Sequence, residues 1–513
     1  MSGVARPPVL DDLVGCRVSG VGAVSGGFRC SNDLVNWLHE AVRRTQANYV
    51  TYLPNDPSRE FKAWMEDPVN MFRSAVYLFD SQTMYERWQW DMLDGQTADG
   101  NLPNIAPGPG FDAYNSPWWG GSAVWLPWYW HLYYGDDSLL EESYPAMKRY
   151  VDFLQKQATD GLQDWGLTDW LPVEETPRPI INTPAAYLYA RIVSRTAERV
   201  GQTDDARHYA ELAESIRTAF NRRFLDSSSG IYGSPGWKPQ FGNWSPPKPL
   251  KQLHETWWTG DRPCTQGGQA LAIMLGLVPD DVRAKADEAI LREIQAHGNR
   301  LSTGFVSTPY LLEWLADRAP QVGWELTTAQ EFPSWYAMTA GSDSDQMMET
   351  WNGGQACMPS LGGNLAAWHV ESLAGIRPDP QGPGFKRFII RPNVIGDLHW
   401  VESWYDCVHG RIQSNWCKRE GRLVMDVVVP ANTTAMVYVP ATDPQSVEES
   451  GRSAKTQPGV SFLRLEDGRA VFEVGSGRYI FRSTVTGRSR PQANGAACGS
   501  AWQASSMKGN HAV

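Results

Sequence analysis

The chain has 513 residues, a formal net charge of −11 at pH 7 and no basic block. That length exceeds one ordinary core, so two or more domains or one large barrel are expected. The acidic balance argues against nucleic acid or an anionic membrane surface as a partner.

The first 30 residues are rich in glycine and valine and predict an extended arm. They contain no apolar core of the kind a secretory signal needs, and no later stretch approaches the ~20 apolar residues of a membrane span. Seven scattered cysteines without CxxC spacing predict neither a zinc knuckle nor a disulfide framework. A reducing cytoplasm is the compartment that fits.

Residues 31–376 read as mostly helical. Asn32 to Val50 carries apolar residues at 34, 35, 38, 42 and 49. Next comes LPNDPSREFKAWMEDP, residues 53–68, with Asp56, Glu60, Glu66 and Asp67 among Arg59, Lys62 and Trp64. Pro54 and Pro57 break any earlier helix, and Asn55 or Ser58 suits a new N-cap. A helix from Ser58 would set Glu60, Trp64 and Asp67 on one face. A carboxyl against an indole has its pKa raised by desolvation, as a general acid requires. The same residues also suit a solvated, charged helix start.

Residues 69–96 predict one long helix or two, followed by the turn-rich loop TADGNLPNIAPGPG. Loops of that length inside a compact region tend to carry function. Further helices are predicted over 122–137, 138–158, 181–201, 203–224, 265–277, 280–298 and 308–319. Helix after helix, joined by loops rich in Gly, Pro and Trp, predicts a toroid of helical hairpins.

After residue 376 the period changes to two, with valine and tyrosine prominent, which predicts an antiparallel β-sandwich over 377–485. RPDPQGPG, residues 377–384, reads as the linker, and 486–513 as a disordered tail. The 24 tryptophans are many for this length. Indole faces stack on the CH faces of sugars, so tryptophans beside carboxylates fit a carbohydrate cleft as well as a core.

Several stretches taken in order resemble the α-L-rhamnosidase family of inverting glycoside hydrolases, which use an (α/α)6 barrel. PNDPSREFKAWMEDP is similar to that family's acidic motif. FPSWYAM, residues 332–338, followed by QMMETWNG, residues 346–353, resembles the stretch bearing its second catalytic glutamate. YPAMKRYVDFL, TQGGQALAIMLGLVPDD and LSTGFVSTPYLL resemble further barrel segments, and AGIRPDPQGPGFKRFIIRP and VPANTTAMVYVP its C-terminal sandwich. The resemblance runs from about residue 28 to 482. It implies an (α/α)6 catalytic barrel over 31–376 and hydrolysis of terminal α-L-rhamnosyl residues with inversion.

By the same resemblance Glu60 is the general acid and Glu349 the general base. Arg59 and Asp67 hold sugar hydroxyls, Trp64 is the motif's aromatic, and Trp351 stands beside the base. LQDWGLTDWLPVEE is similar to the family's Gly-Asp-Trp loop, which makes Asp169 and Trp170 candidates for substrate contact. Asn55, Asp56, Trp119 and Trp335 complete the candidate substrate-binding set. Trp118, Trp119, Trp257, Trp258 and Trp335 fit core and sugar platform equally. His131 reads as a core histidine and His254-Glu255 as a surface turn. Asp343 and Asp345 flank Glu349 and either raise its pKa or solvate a loop.

The chain departs from the family pattern at Asn55 and Gly121, where aspartates are usual, and at Met358-Pro359, where Asn-His is usual. These are sugar-binding positions by the resemblance, so the preferred sugar stays open. The sequence does not contain the long N-terminal β-modules of many relatives, and the barrel surface this leaves is a candidate for homodimer pairing. No cofactor and no metal ligand set is expected; the expected partner is a small carbohydrate or glycoside. Two other classes fit the same toroid. One is a lyase cleaving a rhamnosyl-uronate bond, which needs a base and a group neutralising the carboxylate. The other is a sugar-binding protein without turnover.

Overall fold

The computed structural model describes residues 9, 19–51, 53–54, 61–108, 116–237, 263–340, 345–354, 357–358, 361–419 and 421–484. The chain enters through strand β1 (Gly26–Cys30) and turns into helix α1 (Asp33–Tyr49). The Asn32 side chain caps α1 by accepting from the Val35 N–H at 3.1 Å. Three short helices follow: α2 (Glu66–Asn70), α3 (Phe72–Leu78) and α4 (Gln82–Asp94).

Helices α5 (Pro117–Tyr134), α6 (Ser138–Gln157), α7 (Arg178–Arg199) and α8 (Thr203–Phe224) alternate in character. In α6 the buried positions Leu140, Tyr144, Met147, Val151 and Leu154 recur every three to four residues, leaving a polar face outward. Helix α8 repeats this with Ala206, Tyr209, Ala213, Ile216 and Phe220. Helix α5 is buried nearly all round, as an inner helix must be. After a small hairpin, β2 (Leu225–Asp226) and β3 (Ile231–Tyr232), come α9 (Gln266–Met274), α10 (Arg283–Ala296) and α11 (Thr308–Arg318). Then follow α12 (Pro320–Thr327), α13 (Trp335–Ala340) and α14 (Leu365–Trp368), the last continued by a π-helical turn, His369–Ala374.

The β region opens with β4 (Ile376–Pro378) and β5 (Arg387–Ile390), then β6 (Trp400–Cys407), β7 (Gly410–Arg419), β8 (Arg422–Val429) and β9 (Thr434–Pro440). It closes with β10 (Glu448–Glu449), β11 (Arg452–Ser453), β12 (Val460–Glu466), β13 (Arg469–Val474) and β14 (Gly477–Thr484). One sheet has the order β1-β6-β7-β8-β14-β10-β11 and the other β12-β13-β9-β5-β4.

Four expectations change. The sheets are not wholly antiparallel, because β5 runs parallel to β9. The N-terminal arm ends in β1, which pairs with β6 from Gly26 opposite Tyr405 to Cys30 opposite Val401. The stretch expected as a linker is no tether: 376–378 is β4, and Arg377 donates to the Glu371 carbonyl at 2.7 Å and pairs with Asp317. Cys417 is disulfide-bonded, its other half outside the described residues, so uniformly reduced cysteines do not describe this chain. No described helix is long and apolar enough to cross a membrane.

Candidate functional site

The described part of the acidic motif, residues 61–65, is not helical. Phe61 takes a left-handed backbone at φ 52°, and residues 63–65 pair with the turn-rich loop. The Met65 N–H donates to the Asn104 carbonyl at 2.8 Å, and the Ala106 N–H to the Ala63 carbonyl at 3.0 Å. Trp64 bridges Ile105. Residues 61–65 therefore do not form the helix expected to set Trp64 and Asp67 on one face, because backbone pairing with the loop around Asn104 and Ala106 takes the groups a helix would use. Helix α2 starts at Glu66, which places Glu66 and Asp67 in its first turn, both buried. Trp64 is half-buried, with the Lys62 ammonium 5.9 Å from its ring centre. Asn55, Asp56, Arg59 and Glu60 lie outside the described residues, as do Trp257, Trp258, His254, Glu255, Asp343 and Pro359.

The loop 301–307 is where distant segments meet. Asp169 accepts from the N–H groups of Gly304 at 2.9 Å, Val306 at 2.9 Å and Ser307 at 3.2 Å, and also from the Ser307 hydroxyl. Burial pushes the Asp169 carboxyl up, against these four donors. Its oxygens thus hold the loop in place. The next residue, the half-buried Trp170, accepts from the Phe305 N–H at 2.9 Å through its carbonyl. From the other side, the Asn70 amide of α2 donates to the Phe305 carbonyl. The Trp351 indole N–H donates to the Thr303 carbonyl at 2.9 Å. One loop therefore holds the end of the acidic motif, the Asp169 loop and the Glu349 segment.

Glu349 is 3 % exposed, two residues before Trp351. Its segment is also fixed by the Met347 N–H donating to the Thr45 hydroxyl at 2.8 Å. Trp335 packs edge-on against Trp351 at 5.6 Å, and its indole N–H donates to the Leu361 carbonyl at 2.9 Å. Both rings are fully enclosed and hold the Glu349 segment. Trp119 is likewise core. Its neighbour Trp118 lines a cavity together with Glu66, Tyr189 and Val306. His131 is buried against Asp137.

Sequence reasoning missed Glu66. Burial, with Asp67 and Asp169 nearby, pushes its carboxyl well above the usual range. The signal available was its position beside Asp67, with no helical period to mark it.

Among the described residues, Glu174, Glu293 and His297 bring three possible ligand atoms within 4.8 Å of one another. Burial alone would lower the His297 pKa, but hydrogen bonding to both carboxylates lifts it to about 10. Its two ring nitrogens lie 3.4 Å from Glu174 and 2.9 Å from Glu293. The cluster reaches loop 301–307 through the Glu174 N–H, which donates to the Ser302 carbonyl at 3.1 Å.

Residues 24–368 match the bacterial alpha-L-rhamnosidase 6 hairpin glycosidase domain. The chain belongs to that family. Residues 375–454 match the bacterial alpha-L-rhamnosidase C-terminal domain. An alpha-L-rhamnosidase of Streptomyces avermitilis is 30% identical over 472 residues, covering 88% of this chain and 42% of that protein. The crystal structure of a Streptomyces avermitilis alpha-L-rhamnosidase complexed with L-rhamnose matches with a TM-score of 0.78 at 29% identity, over 90% of this chain and 42% of that one. The alpha-L-rhamnosidase structure from Dictyoglumus thermophilum matches with a TM-score of 0.80 at 27% identity, over 94% and 53%. The chain thus spans about half or less of the length of these family members.

Proposed function

We propose that this chain is the catalytic unit of an α-L-rhamnosidase that releases terminal α-L-rhamnosyl residues from glycosides with inversion. Glu60 is the general acid and Glu349 the general base. Inversion needs one protonated and one ionised carboxyl standing roughly 6.5–9.5 Å apart, so that a water fits between base and anomeric carbon. The acid protonates the leaving oxygen while the base takes a proton from that water. Arg59 and Asp67 orient the sugar hydroxyls, and Trp64 offers its half-buried ring to the sugar.

One observation carries the reading: α2 and the Glu349 segment are both hydrogen-bonded to loop 301–307, through Asn70 and Trp351. Asn70 and Trp351, far apart in sequence, thereby meet at one loop, which supports a shared site for the motifs that flank them. Family membership and the relative crystallised with L-rhamnose support the sugar. The test is turnover of an aryl α-L-rhamnoside by wild type, Glu60→Gln and Glu349→Gln, with the anomer of the released sugar read by NMR. Each substitution is expected to cost at least ~100-fold in kcat, and the first-formed product is expected to be the β-anomer. Wild-type rates in both variants would refute the assignment.

A further inference from the structure

The cavity lined by Glu66 and Trp118 borders both loop 301–307 and α2. It shares Val306 with loop 301–307 and Glu66 and Asn70 with α2. Its volume of about 30 Å³ admits a water or one substituent of a sugar, not a ring. Much of the lining is aromatic, including Trp118, Tyr189 and Tyr310. The charged side chains Arg73 and Glu313 that also line it are paired with each other at 3.1 Å.

Glu66 is different. It is 5 % exposed and lines the cavity, and among the described residues no hydrogen bond reaches its carboxyl. A buried carboxyl without a partner is costly, so a ligand group is the missing partner. The neighbourhood is built around this opening. A Cβ on Gly121 would lie 2.0 Å from the Tyr189 ring, so the glycine admits that ring and the ring closes the side of the cavity. Burial pushes the Glu66 carboxyl up, which favours the protonated form, and that form can donate as well as accept.

We propose that Glu66 is a specificity-determining residue whose carboxyl hydrogen-bonds one hydroxyl of the pyranose bound above the cavity. This rests on the rhamnosidase reading. A site built to bond a hydroxyl rejects the analogue that lacks it.

The experiment compares wild type, Glu66→Gln and Glu66→Ala on aryl α-L-rhamnoside and its 2-, 3- and 4-deoxy analogues, with L-rhamnose binding followed by calorimetry. Wild type is expected to disfavour one deoxy analogue by at least ~10-fold in kcat/KM. Glu66→Ala is expected to lose that discrimination and to bind L-rhamnose ~10-fold more weakly, by KM and Kd rather than kcat. Glu66→Gln, which keeps a donor and an acceptor, is expected to stay within ~3-fold of wild type. A merely structural role would lower the melting temperature and leave the deoxy discrimination in place. Unchanged discrimination in Glu66→Ala overturns the Glu66 assignment alone. Absence of both turnover and L-rhamnose binding in wild type overturns the rhamnosidase reading, and this assignment with it.

Discussion

Glu66 also predicts how stability responds to pH. Its carboxyl stands well above the ordinary value because burial, with Asp67 and Asp169 nearby, disfavours the charge. The folded protein therefore keeps a proton where the unfolded chain has released it. That contribution is complete below the unfolded carboxyl pKa, about 4.3, and is lost as pH rises through the folded value. Glu66→Gln removes the linkage. Its melting temperature relative to wild type is expected to rise as pH climbs above the ordinary carboxyl pKa, and a difference independent of pH would contradict the assigned shift. Asp169 offers a second residue-scale test. In Asp169→Asn the amide NH2 faces backbone donors that the carboxylate accepted. Each unsatisfied N–H costs about 1–3 kcal/mol. A loss of at least ~2 kcal/mol in urea unfolding is expected, with a fall in kcat/KM because loop 301–307 also holds the Trp351 segment.

At the scale of elements, loop 301–307 works only if Gly304 stays small. A Cβ there would lie 2.4 Å from the Trp170 carbonyl oxygen and 2.7 Å from the Asp169 carboxylate. Gly304→Ala forces the Asp169 loop and the 301–307 loop apart, at about 1–3 kcal/mol for overpacking. Activity is expected to fall more than stability, since the displaced parts are those that draw α2 and the Glu349 segment together. Equal kcat/KM in wild type and Gly304→Ala would show that the loop does not set the site. The helices were legible in sequence where a polar face marks the period, as in α6 and α8. Helix α5 has no such face, which is why its start at Pro117 was read as Ser122. The acidic motif misled for another reason. Its composition suits a helix, but Ala63 and Met65 bond to Ala106 and Asn104, and local propensity cannot see a partner so far along the chain. The pairing of Glu60 with Glu349 as candidates came from resemblance to family motifs, and neither spacing nor charge would have supplied it. The closed tryptophans show the same limit: composition suggested sugar platforms, while Trp335 and Trp351 spend their N–H groups on backbone carbonyls.

The whole molecule is joined along a seam that composition does not reveal. Barrel and sandwich share one continuous apolar core, which runs from α1 through α14 into both sheets. Tyr77 of α3 meets Tyr405 of β6 edge-on at 5.1 Å and donates its hydroxyl to the Ile376 carbonyl at 3.1 Å. Trp416 donates to the Leu373 carbonyl at 2.8 Å, and Ser414 to the Ala374 carbonyl at 2.6 Å. Strand β1, from the far end of the sequence, completes the edge of the larger sheet before the chain enters α1. A unit separated at residue 374 would expose Tyr77 and Leu373 on one piece and Tyr405 and Trp416 on the other. The two regions are therefore expected to unfold together, although chains of this size commonly melt domain by domain. Calorimetry should give one peak, with the calorimetric and van't Hoff enthalpies in agreement. Tyr405→Ala, which empties the middle of the seam at a cost of about 3–5 kcal/mol, should lower that single peak without splitting it. Two resolved transitions in the wild type would mean that the shared core does not couple the halves.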